Sequence, residues 1–163
     1  MMANPDKIIT SWPPRLVVCA GAVVLDGERA LFVRQAQGHP LAGQFTIPWG
    51  LVEPDEPPHT AALRETHEEA GVEAEIIGLI GYQILHDPGW LALIFLCHHL
   101  SGIPHPDNIE TDQAAYYSYN DLLTFPYPLE PWCDWLVKRV LQGDYRMIPM
   151  EPGNPYQPLQ AFF

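Results

Sequence analysis

Residues 50–72 read GLVEPDEPPHTAALRETHEEAGV, and the rest of the chain is best understood outward from this stretch. Its second half has the marks of a helix over residues 57–70. Asp55 and Glu56 favour the N-terminus, Pro57 and Pro58 are tolerated in a first turn, and Gly71 is a natural stop. Glu65, Glu68 and Glu69 stand at i, i+3 and i+4, so they project from one helical face. Leu63 and Ala70 fall on the opposite face and can pack on a sheet, while Ala61 and Ala62 sit on the carboxylate side and leave room there. Like charges at this spacing cost a helix about 0.2–0.5 kcal/mol per pair. A hard divalent cation that takes their oxygens as ligands reverses that sign. Glu53 and Glu56 lie in the loop leading in, so five carboxylates can converge near one end. Arg64 can tie the loop to the helix through bidentate hydrogen bonds.

The flanks supply a sheet. Leu16–Leu25, rich in Val and small residues, reads as a buried strand, Asp26-Gly27 as a hairpin turn, and Ala30–Arg34 as the returning strand. Gln35–Gln44 reads as a loop, and Phe45–Trp49 as a short extended piece broken by Pro48. Strands are expected over Val72–Leu85, Leu91–Leu100 and Tyr116–Tyr119. A last helix is expected from Pro131 to Gln142, with Trp132, Trp135, Leu136 and Val140 as its apolar face. Residues 1–15 and the proline-containing aromatic segment after Gly143 read as irregular. At 163 residues the chain suits a single domain over residues 1–163, with a core at about 15–145 and a tail at 146–163.

Charge narrows the partners. The chain has 8 Lys and Arg against 20 Asp and Glu, a formal net charge of −12. Binding to a long nucleic acid or an anionic membrane needs clustered cations, so neither is expected. An anionic substrate would need a divalent metal to neutralise it. Cys19, Cys97 and Cys133 are far apart and odd in number, which speaks for buried thiols rather than a disulfide framework or a cysteine zinc site. The longest apolar run is too short to span a bilayer, and a cytoplasmic location is expected.

The opening stretch resembles the signature of the Nudix hydrolase family. Gly50, Glu56, Arg64, Glu65, Glu68, Glu69 and Gly71 fill its invariant positions at the correct spacing. With each residue type at roughly 5–7% abundance, seven hits from a given start have a chance of order 10⁻⁸ to 10⁻⁹. Thr66 stands where an aliphatic residue is usual, and Trp49 where many relatives carry a second Gly. The resemblance covers roughly residues 15–145 and implies an α+β fold, an α/β/α sandwich with a mixed β-sheet. It implies a pyrophosphohydrolase that uses Mg²⁺ or Mn²⁺ to cleave a nucleoside diphosphate linked to another moiety. It also implies the Gly50 carbonyl, Glu65, Glu68 and Glu69 as metal ligands and Glu65, Glu110 and Arg64 as catalytic residues, Arg64 mainly as a structural clamp and Glu110 as a distant glutamate of catalytic or metal-binding type.

An ADP-ribose-like or nucleotide-sugar substrate is the favoured expectation, with a nucleoside triphosphate as chief competitor. A catalytically silent nucleotide-binding module is a rival from another class, which the intact glutamates disfavour. An isomerase of the same fold would need a reactive cysteine, and Cys19 and Cys97 sit in apolar strands. Trp49, Tyr82, Trp90 and Tyr116 could each stack on a base, and the His86–Trp90 turn could receive a terminal ribose. His98-His99 reads as a surface or edge feature. The aromatic tail could pack on a second subunit, so a homodimer is a further expectation.

Overall fold

Alternation along the first strand decides the architecture. In β1 (Val17–Asp26), Cys19 and Val23 point to one side and Ala20, Ala22 and Val24 to the other, and all five are fully buried. A strand buried on both faces belongs in the middle of a sheet with helices on each side. The computed structural model, which describes residues 16–85, 89–151 and 161–162, has that arrangement.

The chain turns at Gly27 (φ 60°) and returns as β2 (Arg29–Gln35). Then follow β3 (Phe45–Thr46), β4 (Trp49–Leu51), helix α1 (Pro58–Ala70), β5 (Glu73–Ile84), β6 (Trp90–Ser101), β7 (Thr111–Ser118), the short α2 (Tyr119–Leu123), α3 (Pro131–Leu141), β8 (Ile148–Glu151) and β9 (Ala161–Phe162). The strand order is β3-β2-β1-β6-β5-β8-β9, with β4 on β1 and β7 on β2. β1 and β6 run parallel, and the remaining strand pairs are antiparallel, so the sheet is mixed. β1 and β2 pair only near their hairpin; further on, β4 takes the place beside β1 while β2 pairs with β3 and β7. That divergence brings Gly50 of β4 opposite Ala20. One face of the sheet packs Ala61, Ala62 and Ala70 of α1, and the other packs Cys133, Val137 and Val140 of α3. This is the sandwich expected from the sequence.

Four readings change. Tyr119 begins a helix instead of ending a strand, because Ser118 and Asp121 form a reciprocal capping box, and β7 starts earlier, at Thr111. On α3 the buried stripe is Cys133, Val137 and Val140, whereas Trp135 is 54% exposed with the Arg139 guanidinium 5.1 Å from its ring centre. His98 and His99 lie on β6, an interior strand, although His98 itself is exposed; His99 Nδ1 sits 2.8 Å from the Tyr116 hydroxyl. The expected irregular tail supplies β8, which pairs with β5 at Gly78↔Pro149. A Cβ at Gly78 would stand 2.6 Å from the Ile148 carbonyl oxygen, so the close approach needs glycine there. The expectations for residues 1–15, for His86–Pro88 and for residues 152–160 lie outside the described residues. Among the described residues no helix is long and apolar enough to cross a membrane.

Candidate active site

Helix α1 starts with Pro58 in its first turn and ends at Gly71, whose φ of 63° is the left-handed stop that glycine adopts without strain. Its buried side is Ala61, Ala62, Glu65, Thr66, Glu69 and Ala70. The sequence reading set the alanines beside open space. They are instead fully buried against the sheet, and their small size lets the helix come close enough to carry Glu65 and Glu69 inward. Glu69 is 2% exposed and Glu65 is 7% exposed, while Glu68 faces solvent. Leu63 is only partly buried. Thr66 is fully buried and returns its hydroxyl to the Ala62 carbonyl at 2.8 Å.

The sheet receives these carboxylates. The Trp49 backbone N–H donates to Glu69 Oε2 at 3.1 Å, and the Thr111 hydroxyl donates to the Glu69 carbonyl at 2.7 Å. Glu65 lies against Gly50, where an added Cβ would stand 2.1 Å from Oε1. Gly50 therefore serves by having no side chain, a reason independent of its carbonyl. The Trp49 side chain is half-buried against the core face that packs α3.

Glu110 arrives from a different part of the chain. Asp107 accepts backbone N–H bonds from Ile109, Glu110 and Thr111 at 3.1, 3.1 and 2.8 Å, which folds the loop before β7 into a tight turn with Asn108 at φ 63°. The Glu110 carbonyl accepts from the Ala36 N–H at 2.8 Å, and the His105 N–H donates to the Ala70 carbonyl at 2.9 Å, so the loop is tied to both β2 and α1. The outcome is a group of three carboxylates, Glu65, Glu69 and Glu110, whose ligand oxygens lie within 4.8 Å of one another. Two are buried and one is exposed.

Arg64 holds the remaining acidic groups. Its guanidinium donates to Glu56 Oε1 and Oε2 at 3.0 and 3.1 Å, to Glu65 Oε1 at 2.7 Å, to Glu68 Oε2 at 2.9 Å and to the Leu51 carbonyl at 2.9 Å. Glu56 also accepts the Glu53 backbone N–H at 3.1 Å. Arg64 thus joins loop, strand and helix. Glu68 lies outside the group of three, at the exposed end of this clamp, and the Glu53 side chain is exposed.

Electrostatics separate the two sets. The Arg64 hydrogen bond holds the Glu56 carboxyl below its ordinary value. Burial pushes Glu69 well above its ordinary value, against the opposing Trp49 N–H bond and with the negative charges of Glu65 and Glu110 adding to the rise. Burial also raises Glu65, against the pull of Arg64. Among the described residues, no cation pairs with Glu69 or Glu110. Hard oxygen donors crowded in this way, two of them desolvated, fit a divalent cation of the Mg²⁺ or Ca²⁺ type by chemistry. Without a cation, the buried pair is held at a cost.

Other polar and reactive groups fall away from this centre. Asp112 is ion-paired to Arg34 at 2.6 Å. His67 pairs with Glu73 at 2.8 Å on the exposed side of α1. Burial, with the Glu65 charge adding, pushes the Cys19 thiol up, and burial pushes Cys97 up to about 12, so neither is a ready nucleophile. Tyr82 is exposed on β5, and Trp90 packs beside the α3 core. Sequence reading missed Thr111, Gln35 and the turn that Asp107 builds. The only sequence signal for Gln35 was a polar residue ending an apolar strand, and for Asp107 an Asx-type turn at the DNIET stretch.

The comparisons agree with this geometry. The family model described as NUDIX domain matches residues 15–138. The chain is similar to a MutT-like protein of Streptomyces ambofaciens, 34% identical over 110 residues that make up 68% of each chain. It is also similar to the NAD-capped RNA hydrolase NudC of Pseudomonas aeruginosa, 31% identical over 113 residues. That match covers 69% of this chain and 40% of the relative, so the chain spans about two fifths of that protein. Among solved structures, a MutT NUDIX hydrolase from Burkholderia pseudomallei superimposes with a TM-score of 0.64 at 27% identity, covering 76% of this chain and 97% of that one. With the signature of residues 50–72 folded as a strand, an arginine-clamped loop and a carboxylate helix, and with the family model covering most of the sequence, the chain belongs to the NUDIX domain family of pyrophosphohydrolases.

Proposed function

We propose that this chain hydrolyses the diphosphate linkage of a nucleoside diphosphate joined to another moiety, with Mg²⁺ as the working metal and Mn²⁺ as an effective substitute. The observation that carries the reading is the group Glu65, Glu69 and Glu110, three carboxylates within 4.8 Å of one another with no cation paired to Glu69 or Glu110 among the described residues. When bound there, a divalent cation neutralises charge on the phosphate oxygens and makes water a better nucleophile. Glu65 and Glu69 are the inner donors of this reading, with the Gly50 carbonyl beside them, and Glu68 joins when its carboxylate turns from Arg64. Arg64 keeps the loop and the helix in register. Glu110, the exposed member, is the general base, accepting the proton of the attacking water at a carboxylate oxygen.

The charge balance supports a compact substrate. With a net charge of −12 the chain cannot track a long phosphate backbone, whereas a diphosphate needs neutralisation at only one place. The relative named for NAD-capped RNA, itself acting on an RNA, supports the linkage, since an NAD cap holds a nucleoside diphosphate joined to a second nucleoside. ADP-ribose-like molecules and nucleotide sugars belong to this class. A nucleoside triphosphate is the competitor, because the same carboxylates would serve it.

The test is a comparison of kcat/KM for ADP-ribose, NAD, UDP-glucose, dinucleoside polyphosphates and the common triphosphates, each with Mg²⁺ and with Mn²⁺. The expected winner is a nucleoside diphosphate linked to a small moiety. A triphosphate preferred by more than about tenfold, a 1.4 kcal/mol difference in transition-state binding, overturns the substrate class and leaves the hydrolase. Full turnover in excess chelator overturns the metal.

A further inference from the structure

Polar side chains that are buried in this fold are few, and nearly all of them meet at one place. Among the described residues they are Gln35, Thr46, Glu65, Thr66, Glu69 and Thr111. Thr66 spends its hydroxyl inside its own helix. The others surround Glu69: Thr111 holds its backbone carbonyl, Glu65 stands one helical turn before it, and the Gln35 carboxamide faces its carboxylate. Gln35 is fully buried, and its Nε2 donates to the Thr46 hydroxyl at 2.9 Å. Its Oε1 is buried with no hydrogen-bond partner.

That combination is poor design for stability. A buried acceptor without a partner is a cost, and an apolar side chain of the same length would fill the space without it. Gln35 sits at the end of β2, where the strand faces β7 at Thr111 and its backbone joins the 36–44 loop through Gln44 and Gly43. From there its side chain lies between the Glu69 carboxylate and Thr46 of β3. We infer that Gln35 is a positioning residue: its carboxamide, anchored on Thr46, fixes the Glu69 carboxylate in the orientation that binds a divalent cation. The inference rests on the proposed metal reading of the carboxylate group. Groups that orient a ligand from outside the coordination shell are generally worth about 10–100-fold in metal affinity or activity.

The test uses the full chain and Mn²⁺ alone, titrated by calorimetry, with thermal unfolding in chelator recorded alongside. Gln35→Met keeps length and removes both polar atoms. It is expected to weaken Mn²⁺ binding by about tenfold or more, while the melting temperature in chelator stays level or rises. Thr46→Val, which keeps shape and removes the anchor, is expected to move affinity in the same direction by less. Wild-type Mn²⁺ affinity in Gln35→Met overturns the inference, as does a fall in melting temperature with affinity unchanged, the signature of a merely structural residue. If Gln35→Met does not fold, wild-type affinity in Thr46→Val overturns it instead. Glu69→Gln separates the two levels. Wild-type Mn²⁺ binding in Glu69→Gln removes the metal reading itself, whereas loss there with none in Gln35→Met removes this inference alone.

Discussion

Replacing Gly50 with alanine adds one methyl group at the point where strand and helix come closest. The new carbon would stand 2.1 Å from Glu65 Oε1, 2.2 Å from its Cδ and 2.6 Å from Oε2. Ordinary contact begins near 3.5 Å, so the carboxylate must retreat by more than about 1 Å. Backbone strain plays no part, because Gly50 lies outside the left-handed region and alanine can occupy its conformation. The fold gains about 0.4–1 kcal/mol from the stiffer unfolded chain. It loses the Arg64–Glu65 bond, a charged hydrogen bond with its carboxylate buried, worth about 1.5–3 kcal/mol. Net stability is therefore expected to fall by about 0.5–2.5 kcal/mol, a melting shift of roughly 1–10 °C at this size. Activity has no such compensation. A misplacement of about 1 Å at a catalytic group costs on the order of 10²-fold. The assay is kcat/KM on the best substrate of the comparison above, with thermal unfolding in chelator as the control for folding. Wild-type kcat/KM in Gly50→Ala would refute the reasoning, since the parent position of Glu65 cannot coexist with that methyl group.

Three further expectations concern the carboxylates. Glu69→Gln should abolish most metal-dependent turnover yet melt higher than the parent in chelator at neutral pH, because burial disfavours the charge that the substitution removes; a lower melting temperature contradicts this. Glu110→Gln should lower kcat by roughly 10²-fold or more with little change in KM, the mark of a lost base, and an unchanged kcat across the pH range would return the base role to Glu65 or Glu53. In chelator, the raised Glu65 and Glu69 values mean that the folded state holds protons more tightly than the unfolded chain. The stability they contribute is complete below the ordinary carboxylate range and is lost as pH rises through their raised values, so the metal-free protein should melt lower at about pH 8 than at about pH 5. Glu56 has the opposite sign: its stabilisation is present above the ordinary range and is lost as pH falls through its lowered value, outside that window. Melting curves across the range in chelator, with Glu69→Gln expected to flatten the slope, check both signs.

Local rules sufficed wherever a residue's role depends on its chain neighbours. The stop at Gly71, the prolines opening α1, the Asp26-Gly27 turn and the two-sided burial of β1 were all legible, because period, capping and turn chemistry act over a few residues. The spacing of seven residues from Gly50 to Gly71 fixed the family for the same reason. What spacing could not decide was which side of α1 meets the sheet. On the helix alone, Glu65, Glu68 and Glu69 are near-equivalent neighbours. Only packing turns Glu65 and Glu69 inward with Ala61 and Ala62 and leaves Glu68 to solvent and Arg64. Likewise the approach of Glu110 depends on Asp107 folding a loop some forty positions away, and the place of Gln35 opposite Thr111 depends on β2 diverging from β1 toward β7. Such contacts join positions far apart in the chain, where closure is set by the whole core. The sequence by itself determined the main elements, though not the helix at Tyr119 or the strand β8, and the chemistry of the donor set. The tertiary structure decided which oxygens meet, because that depends on how closely a helix lined with Ala61, Ala62 and Ala70 can approach the sheet at Gly50.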